Sequence, residues 1–400
     1  MSRFRSIDDL GELSGRQVLV RADLNVPMID GEITDDTRLR AVAPTVQLLL
    51  DRGARVLLLS HFGRPKGRRI PELSLQPLTG PLAEILQVEV SFARGCTASE
   101  VAEAVALART PVQLLENTRF HPGEETNDRA FALDMAALGT AFINDAFSVS
   151  HRAHASVTGL AEILPAAAGL AMEKELSALE AALTDPAHPV AAVVGGAKVS
   201  TKLGLLGNLA EKVDHLIIGG GMANTFLAAK GINVGASLCE HDLADTARDI
   251  MARADDAGCR IHLPVDVVVA KEFRANPAHR TCPADEVADD EMILDVGPAS
   301  VREFIDVLEG CKTLIWNGPL GAFETPPFEA GTTALAKAAG DLTQQGKLLS
   351  VAGGGDTVAA LAQAGARDAF SHVSTAGGAT LEWMEGKVLP GLKALEKSGT

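Results

Sequence analysis

The chain has 400 residues, 46% of them hydrophobic, and a formal net charge of −16 at pH 7. This length is enough for two or three domains with large apolar cores. The negative charge argues against a nucleic acid or an anionic membrane as a partner. The five cysteines show no metal-ligand spacing, and neither a signal peptide nor a membrane-spanning stretch is visible. We therefore expect a cytoplasmic protein with reduced thiols.

Short runs rich in Val, Leu and Ile alternate with helix-sized segments along the whole chain. Near-continuous apolar strands that alternate with helices are typical of parallel sheets covered on both faces. The eleven predicted strands are too many for one ordinary open sheet, so we predict two Rossmann-like α/β lobes joined by a hinge helix. The predicted strands are 17–22, 55–60, 112–115, 141–144, 190–194, 215–218, 261–270, 292–296, 313–316, 347–351 and 372–374.

The boundary between the lobes is predicted within residues 171–183. Apolar side chains recur there at helical spacing, and charged residues fill the gaps between them. The sequence Thr184-Asp185-Pro186 ends this helix. We interpret it as a helix that connects the lobes.

The predicted strand ends of the first lobe carry arginines: Arg21, Arg64, Arg119 and Arg152. Because ligands bind at the carboxyl ends of strands in open parallel sheets, these side chains predict one concave anion site. The alternative for each arginine taken singly is an ion pair with a surface carboxylate. His151 and His154 lie three residues apart without a metal-binding motif, so we interpret them as hydrogen-bonding residues.

The second lobe opens with the sequence GGAKVSTK at 195–202. Two glycines allow backbone N–H groups to approach a ligand, and a following helix adds further N–H groups. Lys198 and Lys202 are four residues apart, which predicts that they share one helix face. Two cations at a helix start favour a bound phosphate between them. A glycine turn followed by two solvated lysines is the alternative interpretation.

Glycine-rich sequences follow several later strands of the second lobe, at 219–221, 317–321, 353–357 and 376–378. None of them matches a Walker P-loop or a clean GxGxxG dinucleotide motif. Together they predict close approach of backbone to a nucleotide. Asp356 is suited to hold Mg²⁺, which favours oxygen ligands, and an ordinary helix N-cap is its competing role.

Taken in order, these motifs resemble the phosphoglycerate kinase family over essentially the whole chain. Each motif is modest alone, and the ordered set is specific. The motifs are RADLNVP (21–27), SHFGRP (60–65), ENTRF (116–120), NDAFSVSHRAHAS (144–156), GGAKVSTK (195–202), IGGGMANTF (218–226), LPVD (263–266), WNGPLGAFE (316–324), GGGDT (353–357) and STAGGAT (374–380). Many members have a third glycine at the position of Ala376, a small departure.

The resemblance implies reversible phosphoryl transfer between 1,3-bisphosphoglycerate and ADP, giving 3-phosphoglycerate and ATP, with Mg²⁺ bound to the nucleotide. The residues implied to contact 3-phosphoglycerate are Asp23, Asn25, Arg38, His61, Arg64, Arg119 and Arg152. The residues implied to surround the nucleotide are Gly196, Ala197, Lys198, Lys202, Gly220, Asn317, Glu324, Gly353, Gly354, Gly355, Asp356 and Thr357. Glu324 would contact the ribose and Asp356 the magnesium ion.

The resemblance also implies a domain arrangement and a monomer. Residues 1–170 would bind 3-phosphoglycerate, residues 171–188 would form the hinge, and residues 189–388 would bind the nucleotide. The tail, 389–400, would pack back on the first lobe. Closure about the hinge would bring the two substrates in line and exclude water.

The implied chemistry needs no general base, because the attacking carboxylate or phosphate oxygen is already ionised at pH 7. Catalysis must then come from positioning and from neutralising charge on the transferred group. Arg38 and Lys202 are our candidates for that role, assisted by the N–H groups of Gly377 and Gly378. Two other functions are considered as alternatives to a kinase. An NAD-dependent dehydrogenase would need a GxGxxG motif, which this sequence lacks, and the second alternative is a non-catalytic anion-binding protein.

Overall fold

The computed structural model describes residues 3–397. The chain divides into two compact units: the first runs to Leu176 and includes the segment from Val388 onward, and the second comprises Ser177–Lys387. The division falls inside a helix, Leu170–Leu183. Residues 1–2 and 398–400, at the outer ends of the predicted first lobe and tail, lie outside the described residues.

The main sheet of the first unit has six strands, and every neighbouring pair is parallel. Its order is β5-β6-β4-β1-β7-β8, and a separate antiparallel hairpin pairs β2 with β3. The strands of this unit are β1 Gln17–Arg21, β2 Met28–Ile29, β3 Glu32–Ile33, β4 Arg55–Leu59, β5 Val90–Ala93, β6 Val112–Leu115, β7 Ala141–Asn144 and β8 Ala166–Ala168.

Helices cover this sheet. They are α1 Thr37–Asp51, α2 Thr79–Leu86, α3 Ala98–Leu107, α4 Pro122–Glu125, α5 Arg129–Ala136, α6 Leu160–Ile163, the start of α7 Leu170–Leu183, and α15 Pro390–Lys393. Helix α1 illustrates why such a segment forms a helix that packs on the sheet. Its apolar side chains recur at helical spacing, and one face packs with the buried strand residues in a single apolar core. These side chains are Leu39, Val42, Val46 and Leu49. Helix α15 packs on the first unit, where the Gly391 N–H donates to the Ser150 carbonyl at 2.9 Å.

The second unit contains a second parallel six-stranded sheet, in the order β11-β10-β9-β15-β16-β17. An antiparallel sheet in the order β13-β12-β14 accompanies it. The strands are β9 Val190–Val194, β10 His215–Ile218, β11 Arg260–His262, β12 Asp266–Ala270, β13 His279–Pro283, β14 Met292–Val296, β15 Thr313–Asn317, β16 Leu349–Gly353 and β17 His372–Ser374. The helices are α8 Leu203–Ala210, α9 Gly220–Ala229, α10 Ala244–Asp256, α11 Pro298–Gly310, α12 Ala330–Gln344, α13 Gly355–Gln363 and α14 Gly378–Met384.

The predicted fold class is confirmed, but one strand assignment is wrong. The run 261–270 is not a single strand: β11 ends at His262, and β12 begins at Asp266 in a different sheet. Pro264 lies between them, and a proline cannot donate the hydrogen bond that a central strand needs. Strand β14 also belongs to the antiparallel sheet rather than to a parallel one.

Both parallel sheets reverse their strand order at one point. In the second unit the chain builds β10 and β11 on one side of β9, then returns to place β15, β16 and β17 on the other side. In the first unit the same reversal falls between β1 and β7. A crevice opens at the carboxyl ends of the strands at such a switch point, which is where open α/β sheets bind ligands. Within the described residues, no helix is both long and apolar enough to cross a membrane.

Candidate active site

In the first unit, hydrogen bonds around Arg38 connect the loops that follow three strands. This arginine lies on α1, and its Nη1 donates to the carbonyl oxygen of Asn25 at 2.7 Å and lies 3.3 Å from the Asp23 carboxylate. The Asn25 side-chain oxygen accepts from the Gly63 N–H at 2.9 Å, and the Asp23 carboxylate accepts from the Ser148 hydroxyl at 2.5 Å. The loops after β1, β4 and β7 therefore share one polar network at the switch point.

His61 follows β4 and is buried beside a second arginine. The Arg21 guanidinium is fully buried, donates to the Ser156 hydroxyl at 2.9 Å, and lies 3.1 Å from Nδ1 of His61. Burial lowers the pKa of His61 well below its ordinary value, and the charges of Arg21, Arg119 and Arg38 lower it further. In this structure His61 is therefore neutral at pH 7. Because a guanidinium can only donate, Nδ1 accepts and the ring proton lies on Nε2.

Arg119 contributes a buried charge with unused hydrogen-bonding capacity. Its Nη1 donates to the carbonyl oxygen of Gly63 at 2.9 Å. Its buried Nε makes no hydrogen bond to any described residue, but lies 3.5 Å from Oε1 of Glu125 in an ion pair. Burial lowers the pKa of Arg119 to about 10, and the nearby charges of Arg21 and Arg152 act in the same direction. The group remains charged at pH 7. A buried guanidinium whose Nε–H makes no hydrogen bond is suited to an anion.

A buried carboxylate, which the sequence did not single out, compensates part of this charge. Glu124 accepts from the Ser156 N–H at 2.9 Å and from its hydroxyl at 2.5 Å, and it lies 3.7 Å from Nδ1 of His154. Burial raises the pKa of Glu124, but hydrogen bonds from His154 and Ser156 and the charge of Arg21 bring it below its ordinary value. The ionised carboxylate compensates part of the buried charge of Arg21.

The last two predicted arginines differ in placement. Arg152 donates through Nε to His151 at 3.1 Å and is close enough to Arg119 to lower its pKa. Arg64 is exposed, and among residues 3–397 no hydrogen bond or ion pair joins its guanidinium to the network around Arg38. Six of the seven residues predicted for the first lobe thus converge on one basic region, and Arg64 lies at its surface.

In the second unit, the loops after β9 and β15 meet at the switch point. A Cβ at Gly195 would lie 1.8 Å from the carbonyl oxygen of Pro319. Gly318 has a φ of +110°, and a Cβ there would lie 2.1 Å from the carbonyl oxygen of Gly195. Only glycine permits this approach. The two loops consequently present their backbone groups to a common crevice.

Lys202 reaches into this crevice, but not from a shared helix face. The sequence interpretation of Lys198 and Lys202 as one helical face is wrong: Val199–Thr201 forms a 3-10 turn, and Lys202 precedes α8. Lys198 is exposed, whereas the Lys202 ammonium donates to the carbonyl oxygens of Gly195 at 2.6 Å and Asn317 at 3.0 Å. Burial lowers the pKa of Lys202 to about 8, and the Asp356 charge offsets part of that effect.

A cavity of about 340 Å³ extends from this crevice within the second unit. Predicted residues line it: Gly196, Ala197, Gly220, Glu324 and Asp356. The sequence did not indicate its apolar wall, which includes Leu238, Phe273, Met292, Ile293 and Leu294. Four of these come from the antiparallel sheet and its loops: three from β14, and Phe273 from the loop between β12 and β13. Their role therefore depended on a sheet that was not predicted from the sequence. A mostly apolar cleft with a few polar groups suits a small organic ligand.

The start of α13 forms the polar end of this site. The Asn317 amide donates to the Gly353 carbonyl at 2.8 Å, and the Gly318 N–H donates to the Thr357 hydroxyl at 2.7 Å. The buried Asn317 Oδ1 has no hydrogen-bond partner among the described residues. The competing role of Asp356 as an N-cap is wrong, because Gly354 precedes α13 and Asp356 lies in its first turn. Gly355 is exposed at the same turn.

The residues at this end fit a nucleotide-bound magnesium ion. Asp356 is exposed toward the cavity, and its carboxylate accepts no hydrogen bond from the described residues. Proteins commonly bind Mg²⁺ through one or two carboxylates, with ligand phosphates and water completing the shell. Gly377, with a φ of +46°, precedes α14, and a Cβ on Gly353 would lie 2.6 Å from Thr380 of that helix. The start of α14 with Gly378 therefore lies near the same sheet edge, outside the residues that line the cavity.

Two parallel α/β units, one with a basic region at its strand ends and one with a glycine-walled cleft and a half-buried lysine, define the class of two-lobed α/β kinases. Comparison with known proteins gives the family. The family model described as phosphoglycerate kinase matches residues 7–387. The chain belongs to the phosphoglycerate kinase family and is a kinase.

Individual relatives support this membership over the full length. Phosphoglycerate kinases of Rhizorhabdus wittichii and Zymomonas mobilis are each 63% identical over 394 residues, which is 98% of this chain and 99% of theirs. The structure of phosphoglycerate kinase from Coxiella burnetii superposes with a TM-score of 0.91 at 42% identity, covering 98% of both chains. That from Pyrococcus horikoshii gives 0.80 at 29% identity, also covering 98% of both.

Proposed function

We propose that the chain catalyses reversible phosphoryl transfer between 1,3-bisphosphoglycerate and ADP, giving 3-phosphoglycerate and ATP. The observation that carries this proposal is the full-length match to the phosphoglycerate kinase family. The geometry of each unit supports it. A cluster of arginines suits a small phosphorylated acid, and an apolar cleft with a lysine and glycine-rich loops suits a nucleotide.

The first unit would bind 3-phosphoglycerate. Its phosphate and carboxylate are both anions, and the region around Arg119 offers a buried cation with a free N–H donor. His61, neutral in the free protein, can donate its Nε2–H to an anionic oxygen without adding charge. The proposed binding set is Asp23, Asn25, Arg38, His61, Arg64, Arg119 and Arg152.

The second unit would bind the nucleotide, with the base against the apolar wall and the phosphates toward Lys202 and α13. Glu324 would hold the ribose, and Asp356 would ligate Mg²⁺, which reduces the negative charge of the phosphates when bound. The remaining members of the proposed set are Gly196, Ala197, Lys198, Gly220, Asn317, Gly353, Gly354, Gly355 and Thr357.

The reaction needs no proton transfer by the protein. A carboxylate oxygen of 3-phosphoglycerate forms the new bond to the γ-phosphorus of ATP, and the bond from that phosphorus to the ADP oxygen breaks. The two oxygens lie in line, and charge accumulates on the three equatorial oxygens of the transferred group. Arg38, Lys202 and the N–H groups of Gly377 and Gly378 would stabilise that charge.

Transfer between substrates held on different units requires the units to close. We infer that residues 171–188 act as the hinge between a substrate domain, 1–170 with the tail 389–400, and a nucleotide domain, 189–388. Closure also excludes water, which protects the acyl phosphate and the transferred group from hydrolysis. We also propose that the protein acts as a monomer in the cytoplasm.

A coupled assay of 3-phosphoglycerate-dependent ATP consumption tests the function and the two charged roles. Arg38→Ala and Lys202→Ala should each lower kcat by about 100-fold or more, the loss that removing one transition-state stabiliser produces. Two matched controls should retain activity: Arg40→Ala, an exposed arginine on α1, and Lys212→Ala, an exposed lysine that follows α8. Near-normal rates in both test variants would overturn the assigned roles, and no ATP consumption by the wild type would overturn the function.

A further inference from the structure

A second group of ligating side chains lies in the first unit, apart from the proposed substrate contacts. Cys96, Glu100 and His121 place one sulfur, one carboxylate oxygen and one imidazole nitrogen within 4.8 Å of one another. Nε2 of His121 lies 3.4 Å from Oε2 of Glu100. Two ligand atoms at about 2.0–2.1 Å from a tetrahedral metal are about 3.3–3.4 Å apart. The distance between the His121 nitrogen and the Glu100 oxygen therefore already suits two ligands of one metal ion.

The surrounding chain holds each ligand in place. Oε2 of Glu100 accepts from the Cys96 N–H at 3.0 Å and from the Thr97 hydroxyl at 3.3 Å. A Cβ at Gly95 would lie 2.7 Å from the same oxygen, so glycine provides room for the carboxylate. The ring of Phe131 stacks on His121 with centroids 4.8 Å apart. Supports of this kind orient the ligands in known metal sites.

The group is reachable from solvent and lies in a negative field. Cys96 is buried, but the side chains of Glu100 and His121 are 32% and 25% exposed. Burial raises the pKa of the Cys96 thiol, and the charges of Glu100, Glu124 and Glu116 raise it further, with Arg69 opposing them. Burial alone would disfavour a cation here, whereas these carboxylates favour a divalent one.

We propose that Cys96, Glu100 and His121 bind one Zn²⁺ ion, with water as the fourth ligand. A thiolate, an imidazole and a carboxylate together form a zinc-type set, whereas Mg²⁺ prefers oxygen ligands alone. On binding, the thiol proton leaves to solvent and the sulfur lone pair is donated to the metal. The site differs in its unit and in its ligand chemistry from the magnesium site proposed at Asp356.

Cobalt provides the direct test, because Co²⁺ bound to a thiolate gives a sulfur-to-metal charge-transfer band in the near ultraviolet. Metal-free full-length protein is titrated with Co²⁺, and Zn²⁺ is then added to displace it. The wild type should bind one equivalent with this band, and Zn²⁺ should remove it. Mg²⁺ should not. A wild type without the band would overturn the proposal and leave Glu100 only as a hydrogen-bond acceptor for Cys96 and Thr97 at the start of α3.

Variants assign the ligands. Cys96→Ser should abolish the band, and His121→Gln should lower Zn²⁺ affinity more than about 100-fold, since losing an outer-sphere partner alone costs about 10–100-fold. Cys239→Ser is the matched control, because that thiol also lies near an imidazole, 3.6 Å from Nδ1 of His241. It should retain the band.

Circular dichroism without metal checks that each variant is folded. His121 is partly exposed, so His121→Gln keeps the test decisive if Cys96→Ser does not fold. Unchanged Zn²⁺ affinity in His121→Gln, or loss of the band in Cys239→Ser, would overturn the assignment.

Discussion

At the scale of single residues, the side chains that matter most are charges removed from water. Lys202 and Arg119 are both cations whose pKa burial lowers, and each donates to backbone carbonyl oxygen. Arg119 also forms an ion pair with the Glu125 carboxylate at 3.5 Å. A carbonyl oxygen offers only a partial charge. Lys202 therefore keeps most of its attraction for an anionic ligand, and Arg119 keeps the part that the half-exposed Glu125 carboxylate does not offset.

The pKa of Lys202, about 8, predicts a pH-dependent affinity for nucleotide. Below pH 8 the ammonium is charged and attracts the phosphates, whereas above pH 8 the free protein must first take up a proton. We expect the affinity for Mg-ADP to fall above about pH 8 by up to about tenfold per pH unit. Calorimetric titration between pH 6.5 and 9.5 would measure it.

The Lys202→Arg and Lys202→Met variants are the controls for this effect. Arginine keeps its charge throughout that range, and methionine has none, so both variants should lose the step near pH 8. Identical profiles for the wild type and the two variants would show that another group titrates.

At the scale of elements, close packing of the β9 and β15 loops shapes the nucleotide cleft. Gly195→Ala would place a methyl group 1.8 Å from the carbonyl oxygen of Pro319, so one loop must move. We expect a loss of about 1–3 kcal/mol in the free energy of unfolding and a raised KM for ATP, with little change in the KM for 3-phosphoglycerate.

Gly310→Ala is the matched control in the same unit, because nothing lies within 4 Å of a Cβ built there. Thermal unfolding would compare the stability of both variants with that of the wild type, and steady-state kinetics would compare their KM values for ATP and 3-phosphoglycerate. Equal stability and equal KM for ATP in Gly195→Ala and the wild type would count against a rigid cleft.

Helix α7 begins beside a buried carboxyl group, Asp145, whose Oδ1 accepts from the Met172 N–H at 3.1 Å and whose Oδ2 has no partner among the described residues. Burial raises the pKa of Asp145 to about 6 from an ordinary 3.8, against the opposing effect of hydrogen bonds from Thr45, Met172 and Ala171. Its contribution to stability is full below pH 3.8 and is lost as the pH rises through 6.

We therefore expect Asp145→Asn to stabilise the protein above pH 6, by about 1–3 kcal/mol at pH 8, with a smaller advantage near pH 4. Chemical denaturation across this pH range would measure the difference. Asp134 is the contrasting case. Burial raises its pKa, but hydrogen bonds from Ser99 and Thr97 and the charge of His121 lower it more, so its pKa lies below the ordinary value. Asp134→Asn should therefore destabilise the folded protein at neutral pH. An Asp145→Asn variant less stable than the wild type at pH 8 would contradict this account.

At the scale of the whole molecule, the proposed reaction demands hinge closure. We predict that small-angle scattering will show a smaller radius of gyration with both substrates bound than with either alone, because only the ternary complex offers contacts to both units. Lys202→Ala, which should weaken nucleotide binding, should reduce the change. Unchanged dimensions in the ternary complex of the wild type would count against closure.

Much of this architecture was predictable from local sequence, because parallel strands are apolar along their whole length and helices show their own period. Strand β5, Val90–Ala93, escaped prediction although both of its end residues are buried. The other strands that escaped prediction lacked that signal. Strand β8 is three alanines, which have low strand propensity, and β13 is largely exposed and polar. The hairpin of β2 and β3 is only two residues on each side.

The order of motifs is enough to predict the family, the two parallel sheets and most residues of both proposed sites. These follow from local residue types, because a strand end marks the sheet edge where ligands bind. Four properties depend on long-range packing and required the folded structure: the neutral state of His61, the compensation of Arg21 by Glu124, the apolar wall of the cleft, and the position of the Lys202 ammonium in the crevice. Burial and the fields of distant charges produce those properties, and neither can be read from neighbours along the chain.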